Sequence, residues 1–212
     1  MTTETTPAYL TPYQRAASRH GAGFSSLLWA SPQTQAVRFG ALTRLVGLKG
    51  RSLLDVGCGR ADLLDFLLAR DIKLAHYVGL EGVPTLAEAA EAKNHPNTII
   101  VRADFVREPL RLFVGADVVY FSGSLNTLDP ADFYVTIRKA YDAAAETLVF
   151  NFLCSSDLAG MSYLHWHRAS EVWAFCKSLT SDVRRLDDYL PGDTTFALTK
   201  PEEHLCEEHL QQ

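Results

Sequence analysis

The sequence predicts an α/β fold: a doubly wound, seven-stranded, mostly parallel sheet with helices on both faces and an antiparallel hairpin at its C-terminal end. Two observations carry that prediction. Short, near-continuous apolar runs alternate with helix-patterned segments through the middle of the chain, as in a parallel sheet covered on both sides. The last two strand-like runs are instead separated by Leu190, Pro191, Gly192 and Asp193, a Pro-Gly turn that suits a hairpin.

Each element follows from local pattern. Ser52–Val56 (SLLDV) is an apolar run of strand length, and 62–69 carries a helical repeat after it. His76–Glu81 reads as a second strand and 85–93, rich in Ala and Glu, as a second helix. Thr98–Arg102 (TIIVR) is dominated by β-branched residues and reads as a third strand. The run 116–121 (ADVVYF) is a fourth, and 130–145 is a long helix opening after Asp129, a residue suited to an N-cap. A fifth strand at 148–153, a helix at 171–179 and strands at 182–189 and 194–200 complete the order. No repeat or linker interrupts the chain. One domain is expected, with 1–50 as an N-terminal helical cap or lid, 51–201 as the core and 202–212 as a polar, acidic tail.

Composition excludes several classes of function. The chain has 212 residues, 47% of them hydrophobic and 21% charged, within the range of an ordinary globular domain. Net charge is −5, from 20 basic and 25 acidic residues, and no Lys/Arg cluster exceeds a pair such as Arg184 and Arg185. Nucleic-acid binding, which draws on neutralised phosphates, is disfavoured. No apolar run approaches the roughly 18 residues of a membrane span, and the start lacks a signal-peptide pattern, so a cytoplasmic location is expected by default. Cys58, Cys154, Cys176 and Cys206 are scattered, with no CxxC spacing; reduced, mostly buried thiols and no metal site are expected.

The chemistry centres on SLLDVGCGRADLL at 52–64. In an open parallel sheet, ligands bind outside the carboxyl ends of the strands, where strand order reverses. Gly57 and Gly59 leave room for a ligand beside the backbone, and the next helix offers free N–H groups. A dinucleotide fingerprint would need glycine at position 62, which is Asp62, a carboxylate that would repel a pyrophosphate. No G-K-[ST] follows, so a P-loop is excluded.

Leu53, Leu54, Asp55, Val56, Gly57, Cys58 and Gly59 resemble the first motif of the class I S-adenosylmethionine-dependent methyltransferases, with Ala61 where the family's third glycine usually stands. The resemblance covers about 35–200. It implies a carboxylate at the end of the second strand for the ribose hydroxyls, matched by Glu81 with Gly82 following, 24 residues after Gly57. It implies an acidic-aromatic pair for adenine, matched by Asp104 and Phe105. It also implies a loop under the methionine part, matched by Ser122, Gly123, Ser124, Leu125 and Asn126. Trp29, Gln35, Arg38, Phe39, Asn151, Asp188, Tyr189 and Lys200 narrow the likeness to small bacterial and archaeal members with unassigned acceptors. The antiparallel ending of the sheet also accords with the family.

The resemblance implies S-adenosylmethionine as cofactor and S-adenosylhomocysteine as product. Arg38 is a candidate for the cofactor's carboxylate, since a guanidinium binds carboxylates in a bidentate way; the alternative is an exposed helix arginine. Asp55 is expected to orient turn amides, Cys58 to make backbone contact only, and Asp62 either to meet the cofactor's ammonium or to serve the helix dipole. His165 and His167, flanking Trp166, are candidates for a base, against loop packing. Asn126 and Asn151 are candidates for hydrogen bonds to the acceptor, and Tyr189 for a lid. No [DNS]-P-P-[YF] segment follows the fourth strand, and no Pro-Cys pair exists. A small-molecule acceptor is therefore expected ahead of a protein side chain. Alternatives are a non-catalytic module that binds the cofactor and a nicotinamide-dependent oxidoreductase, which Asp62 opposes.

Overall fold

The computed structural model describes residues 6–201. The tail at 202–212, with Cys206, and most of the Thr-rich start lie outside the described residues. Strands β1 (Ser52–Val56), β2 (His76–Glu81), β3 (Thr98–Arg102), β4 (Val118–Phe121) and β5 (Thr147–Leu153) are followed by the hairpin of β6 (Asp182–Leu186) and β7 (Asp193–Thr199). They form one seven-stranded sheet in the order β3-β2-β1-β4-β5-β7-β6. The first five pair in parallel, and β7 inserts between β5 and β6, antiparallel to both. Strand order therefore reverses at β1 and β4, and the crevice lies above Val56 and Phe121. The predicted fold class is the observed one.

Helices α1 (Thr11–His20), α2 (Pro32–Leu45), α3 (Asp62–Leu68), α4 (Pro84–Ala92), α5 (Pro130–Ala143) and α6 (Ala169–Leu179) surround the sheet. The period of two in β1 sorts its side chains between two cores. Leu53 packs with Leu42 of α2 and Leu63 and Leu67 of α3, while Leu54 and Val56 join Phe133 and Ile137 of α5. Helix α2 starts at a capping box: the Ser31 hydroxyl accepts from the Thr34 N–H, and the Thr34 hydroxyl accepts from the Ser31 N–H. Asp129 caps α5 by accepting from the Asp132 N–H at 2.9 Å.

Two strands are shorter than their sequence patterns. Asp117 lies outside β4 because its carboxylate accepts from both the backbone N–H and the hydroxyl of Ser52, at 2.7 and 2.8 Å. Strand β6 stops at Leu186 because Asp187 and Asp188 turn to Arg185 and Arg44 instead of continuing the ladder.

His167, just beyond β5, is part of the core. Its ring stacks on Phe133 with centroids 3.8 Å apart, and its Nε2 has no hydrogen-bond partner among the described residues. Burial, and then the charge of His165, push its pKa down to about 4. The native imidazole thus stays neutral where an unfolded one, titrating near 6.5, takes up a proton. Its stabilising contribution is complete above about pH 6.5 and lost as pH falls towards about 4. His167→Phe should therefore raise the melting temperature more at pH 5 than at pH 8. A gain at pH 5 no larger than that at pH 8 contradicts this.

Candidate functional site

The turn after β1 has three residues in left-handed conformation: Gly57, Gly59 and Ala61, with φ of 74°, 57° and 56°. For alanine that conformation costs about 1–2 kcal/mol, and the Ala61 methyl is fully buried in the α2–α3 core. The turn is held from β2. The Gly57 and Cys58 N–H groups donate to the Leu80 carbonyl at 2.8 and 3.0 Å. The Glu81 carboxylate accepts from the Gly59 N–H through Oε2 at 2.8 Å and from the Val83 N–H through Oε1 at 2.7 Å. A Cβ on Gly57 would lie 2.5 Å from that of Ser124, whose hydroxyl donates to the Val56 carbonyl. The room beside Gly59 is taken by the cap, since a Cβ there would lie 2.7 Å from Leu27 Cδ2.

Above this turn is a cavity of about 240 Å³, floored by the carboxyl ends of β1, β2, β4 and β5 and roofed by α1, α2 and the segment joining them. Arg38, Asp55, Gly57, Cys58, Gly59, Glu81, Gly82, Asp104, Phe105, Ser122, Gly123 and Asn126 all line it. Burial raises the pKa of both Glu81 and Asp55 to about 7, against the hydrogen bonds that each accepts. Burial likewise pushes the Cys58 thiol well above its ordinary value, and its sulfur fills the space left by Gly79.

Other candidate residues are placed differently. Asp62 does not line the cavity: Arg60 and Lys93 bind its carboxylate at 2.8 and 3.1 Å. These cations draw it away from any ligand ammonium and, despite burial, hold its pKa below the ordinary carboxylate value. Asp55 accepts the Tyr77 hydroxyl at 2.6 Å, and the turn amides belong to Leu80 and Glu81 instead. Asn151 is fully buried beneath the β4 loop, accepting from the Gly123 N–H at 2.8 Å, and does not line the cavity. Neither His165 nor His167 lines the cavity, and the His167 ring stacks on Phe133. Tyr189 is tied to the hairpin and does not line the cavity: its hydroxyl donates to the Asp193 carboxylate and lies 2.7 Å from the Thr195 hydroxyl. Among the described residues, no three His, Cys, Asp or Glu side chains converge as metal ligands would.

Three contributors were missed in the sequence. Tyr9 donates to both oxygens of Asp104, at 2.9 and 2.7 Å, tying the start of the cap to the loop after β3. Trp29 lies against Gly123, where a Cβ would come within 2.9 Å of its ring, and the Arg38 guanidinium sits 4.8 Å from the ring centre. Asp193, at the start of β7, accepts from Arg38 Nε and Nη2 at 2.8 and 2.6 Å. An acidic residue opening the apolar run of β7 was the available signal for this last pair. The crowding beneath Gly57 yields one expectation. Gly57→Ala combines a left-handed alanine with a backbone-anchored clash and should lower unfolding stability by more than about 2 kcal/mol in urea titration; a loss below about 0.5 kcal/mol would show that the turn relaxes freely.

Neither a protein-family model nor a curated protein sequence matches the chain. Solved structures do. A magnesium protoporphyrin IX methyltransferase from Synechocystis PCC 6803 with bound S-adenosylmethionine superposes with a TM-score of 0.66 at 13% identity, covering 94% of this chain and 100% of that one. DhpI in complex with S-adenosylhomocysteine gives 0.65 at 16% identity, over 92% and 95% of the two chains. An O-methyltransferase family protein from Burkholderia thailandensis gives 0.60 at 14% identity, over 91% and 71%. With the strand order and the antiparallel hairpin, these likenesses establish that the chain has the class I S-adenosylmethionine-dependent methyltransferase fold.

Proposed function

We propose that the chain binds S-adenosylmethionine and transfers its methyl group to a small-molecule acceptor. The observation that carries this reading is the buried carboxylate of Glu81, at the end of β2 in the cavity wall. Each of its oxygens accepts one backbone N–H, leaving lone pairs for a ribose diol. The donor set also opposes a pyrophosphate. The N–H groups of Gly57, Cys58 and Gly59 are all spent on Leu80 and Glu81, so no nest of free amides remains. With Asp55 close by, the floor is acidic, which suits a ligand with a cationic centre.

When bound, the sulfonium supplies a methyl carbon already activated for in-line displacement. The chain's own residues align and enclose. Phe105, set edge-on to Phe121, offers a face to adenine, and Asp104 beside it is held in place by Tyr9. Ser122 and Gly123 floor the methionine part. Arg38, whose Nη1 makes only a 3.5 Å contact with the Thr34 carbonyl, has a donor left for the cofactor's carboxylate. The described part of the N-terminal segment, residues 6–50, acts as a cap belonging to the same domain and excludes water. Such alignment is worth about 7–11 kcal/mol in favourable cases. The roofed cavity favours a small acceptor over a protein side chain. Among the described residues no helix is long and apolar enough to cross a membrane.

Calorimetry with S-adenosylmethionine tests the reading, and absence of binding at millimolar ligand overturns it. Glu81→Ala should weaken binding by about tenfold or more, the value of hydrogen bonds to a charged group. In the wild type, only ionised Glu81 accepts both ribose hydroxyls. With its pKa near 7, affinity should rise with pH, by up to about tenfold from pH 6 to pH 8. Glu81→Gln should flatten that rise; an unchanged slope in the variant assigns it to another group.

A further inference from the structure

We infer that the acceptor is a small apolar carboxylic acid, methylated on its anionic oxygen, with Asn126 as the residue that binds that oxygen. The inference rests on the methyltransferase reading above and specifies its acceptor half.

Asn126 is the first ground. It is 8% exposed and lines the cavity. Its Oδ1 accepts the Leu153 backbone N–H at 3.3 Å. A backbone N–H can only donate, so the amide oxygen must face Leu153 and the NH2 group must face the other way. That NH2 donates to no acceptor among the described residues. The backbone of Asn126 is fixed as well, its N–H donating to the Gly123 carbonyl at 3.2 Å and its carbonyl accepting from the His165 N–H at 2.7 Å. The site therefore presents an oriented donor. An ammonium, which only donates, has no partner there, whereas a carboxylate, which only accepts, matches the donor without first losing a proton.

The second ground is the surrounding wall. Leu153, Leu158, Leu164, Leu190 and Trp29 line this end of the cavity. The loop carrying Leu158 packs on the hairpin turn, where a Cβ on Gly192 would lie 3.1 Å from the Leu158 side chain. No base stands among them. Asp193 is the nearest carboxylate by register, opposite Leu153, and both its oxygens are taken, by Arg38 and by Tyr189. The cavity's two buried acids stand on β1 and β2, and each already accepts hydrogen bonds: Asp55 takes the Tyr77 hydroxyl, and Glu81 takes two backbone N–H groups. Burial, and then the charge of Glu81, raise the pKa of the Tyr13 hydroxyl. A nucleophile that arrives with its lone pair ready needs none of these groups.

A carboxylate does so. Its oxygen lone pair forms the bond to the methyl carbon as the carbon–sulfur bond breaks, and that electron pair stays on sulfur. Anion and sulfonium become neutral ester and neutral thioether, and no proton moves. A low-polarity cavity favours a reaction that destroys charge in this way.

The test uses the full-length protein with octanoate and 3-phenylpropanoate, each beside its matched primary alcohol, amine and thiol. Methyl transfer is followed by mass spectrometry, and acid binding to the S-adenosylhomocysteine complex by calorimetry. The acids should be turned over in preference to their matched partners by about a hundredfold. At saturating S-adenosylmethionine, their rate should be level from pH 6 to pH 8. Asn126→Asp keeps an acceptor for Leu153 but replaces the donor with an oxygen. It should weaken acid binding by about tenfold or more with no comparable loss of S-adenosylmethionine binding, since an added carboxylate does not repel a sulfonium. Preference for an alcohol, amine or thiol overturns the inference. So does failure of both acids to bind and react while S-adenosylmethionine binds normally. Loss of S-adenosylmethionine binding in the wild type overturns the parent reading instead, so the two failures are distinguishable.

Discussion

The buried carboxylate of Glu81 is the constraint on which the site depends. It joins the ends of two strands: one oxygen holds the Gly59 N–H of the turn after β1, the other the Val83 N–H at the entry to α4. Neither amide has another way to be satisfied in a region closed to water, and unsatisfied buried amides are rare because each is costly. The acid in turn is tolerated only because these donors offset part of its desolvation. The mutual dependence fixes the position of the 57–59 turn relative to β2, and with it the shape of the cavity floor. It also leaves the acid titrating near neutrality, since two neutral donors do not match the hydration it has lost.

The roof is joined to this floor by contacts that use the missing Cβ atoms. Leu27 occupies the space over Gly59, and Trp29 that over Gly123. The glycines thus serve the cap as well as any ligand. A longer reach is supplied by the Arg38–Asp193 pair, which bridges α2 and the first residue of β7 with side chains 7% and 0% exposed. Burying two charges this deeply carries a desolvation penalty that good geometry and extra hydrogen bonds must offset. Tyr189, donating to the other Asp193 oxygen, supplies one. Such a pair is weak evidence for stability but strong evidence for placement, because breaking either partner strands a charge.

The layout of the sheet was legible in the sequence because its central strands are buried on both faces. VVYF of β4 and TLVFNFL of β5 are buried throughout and could read only as apolar runs. The glycine turn and Glu81 were legible for the same reason: a carboxylate ending a core strand has no passive role. The partners across the site were not legible. Tyr9 and Asp104 are 95 positions apart, and Arg38 and Asp193 are 155 apart, so no local period or spacing connects them. The partner of Asp62 was not legible either, because its neighbourhood in sequence, the start of α3, says nothing of Lys93, which arrives from the end of α4. The surroundings of the HxH motif were hidden in the same way: His167 turns inward against Phe133, a contact between distant positions, and its ring packs in the core without lining the cavity.

The two ends of the cavity differ in a way that bears on any chemistry between them. At the β1 and β2 end the floor is acidic, with Asp55 and Glu81 both buried and both titrating near neutrality. At the β4 and β5 end the walls are leucines and a tryptophan, and the polar groups facing them, the Asn126 amide and the Arg38 guanidinium over the tryptophan ring, are donors. A cation gains at the first end, because its charge favours the ionised form of each acid. At the second end a cation would face apolar walls and a donor dipole of the wrong sign. An anion has the opposite preferences. The polarity therefore runs along the row of strand ends, from a place for positive charge to a place for negative charge, with the glycine-rich loops after β1 and β4 between them. Reactants sorted in this way meet over the point where the strand order reverses, and it is there that their charges can cancel.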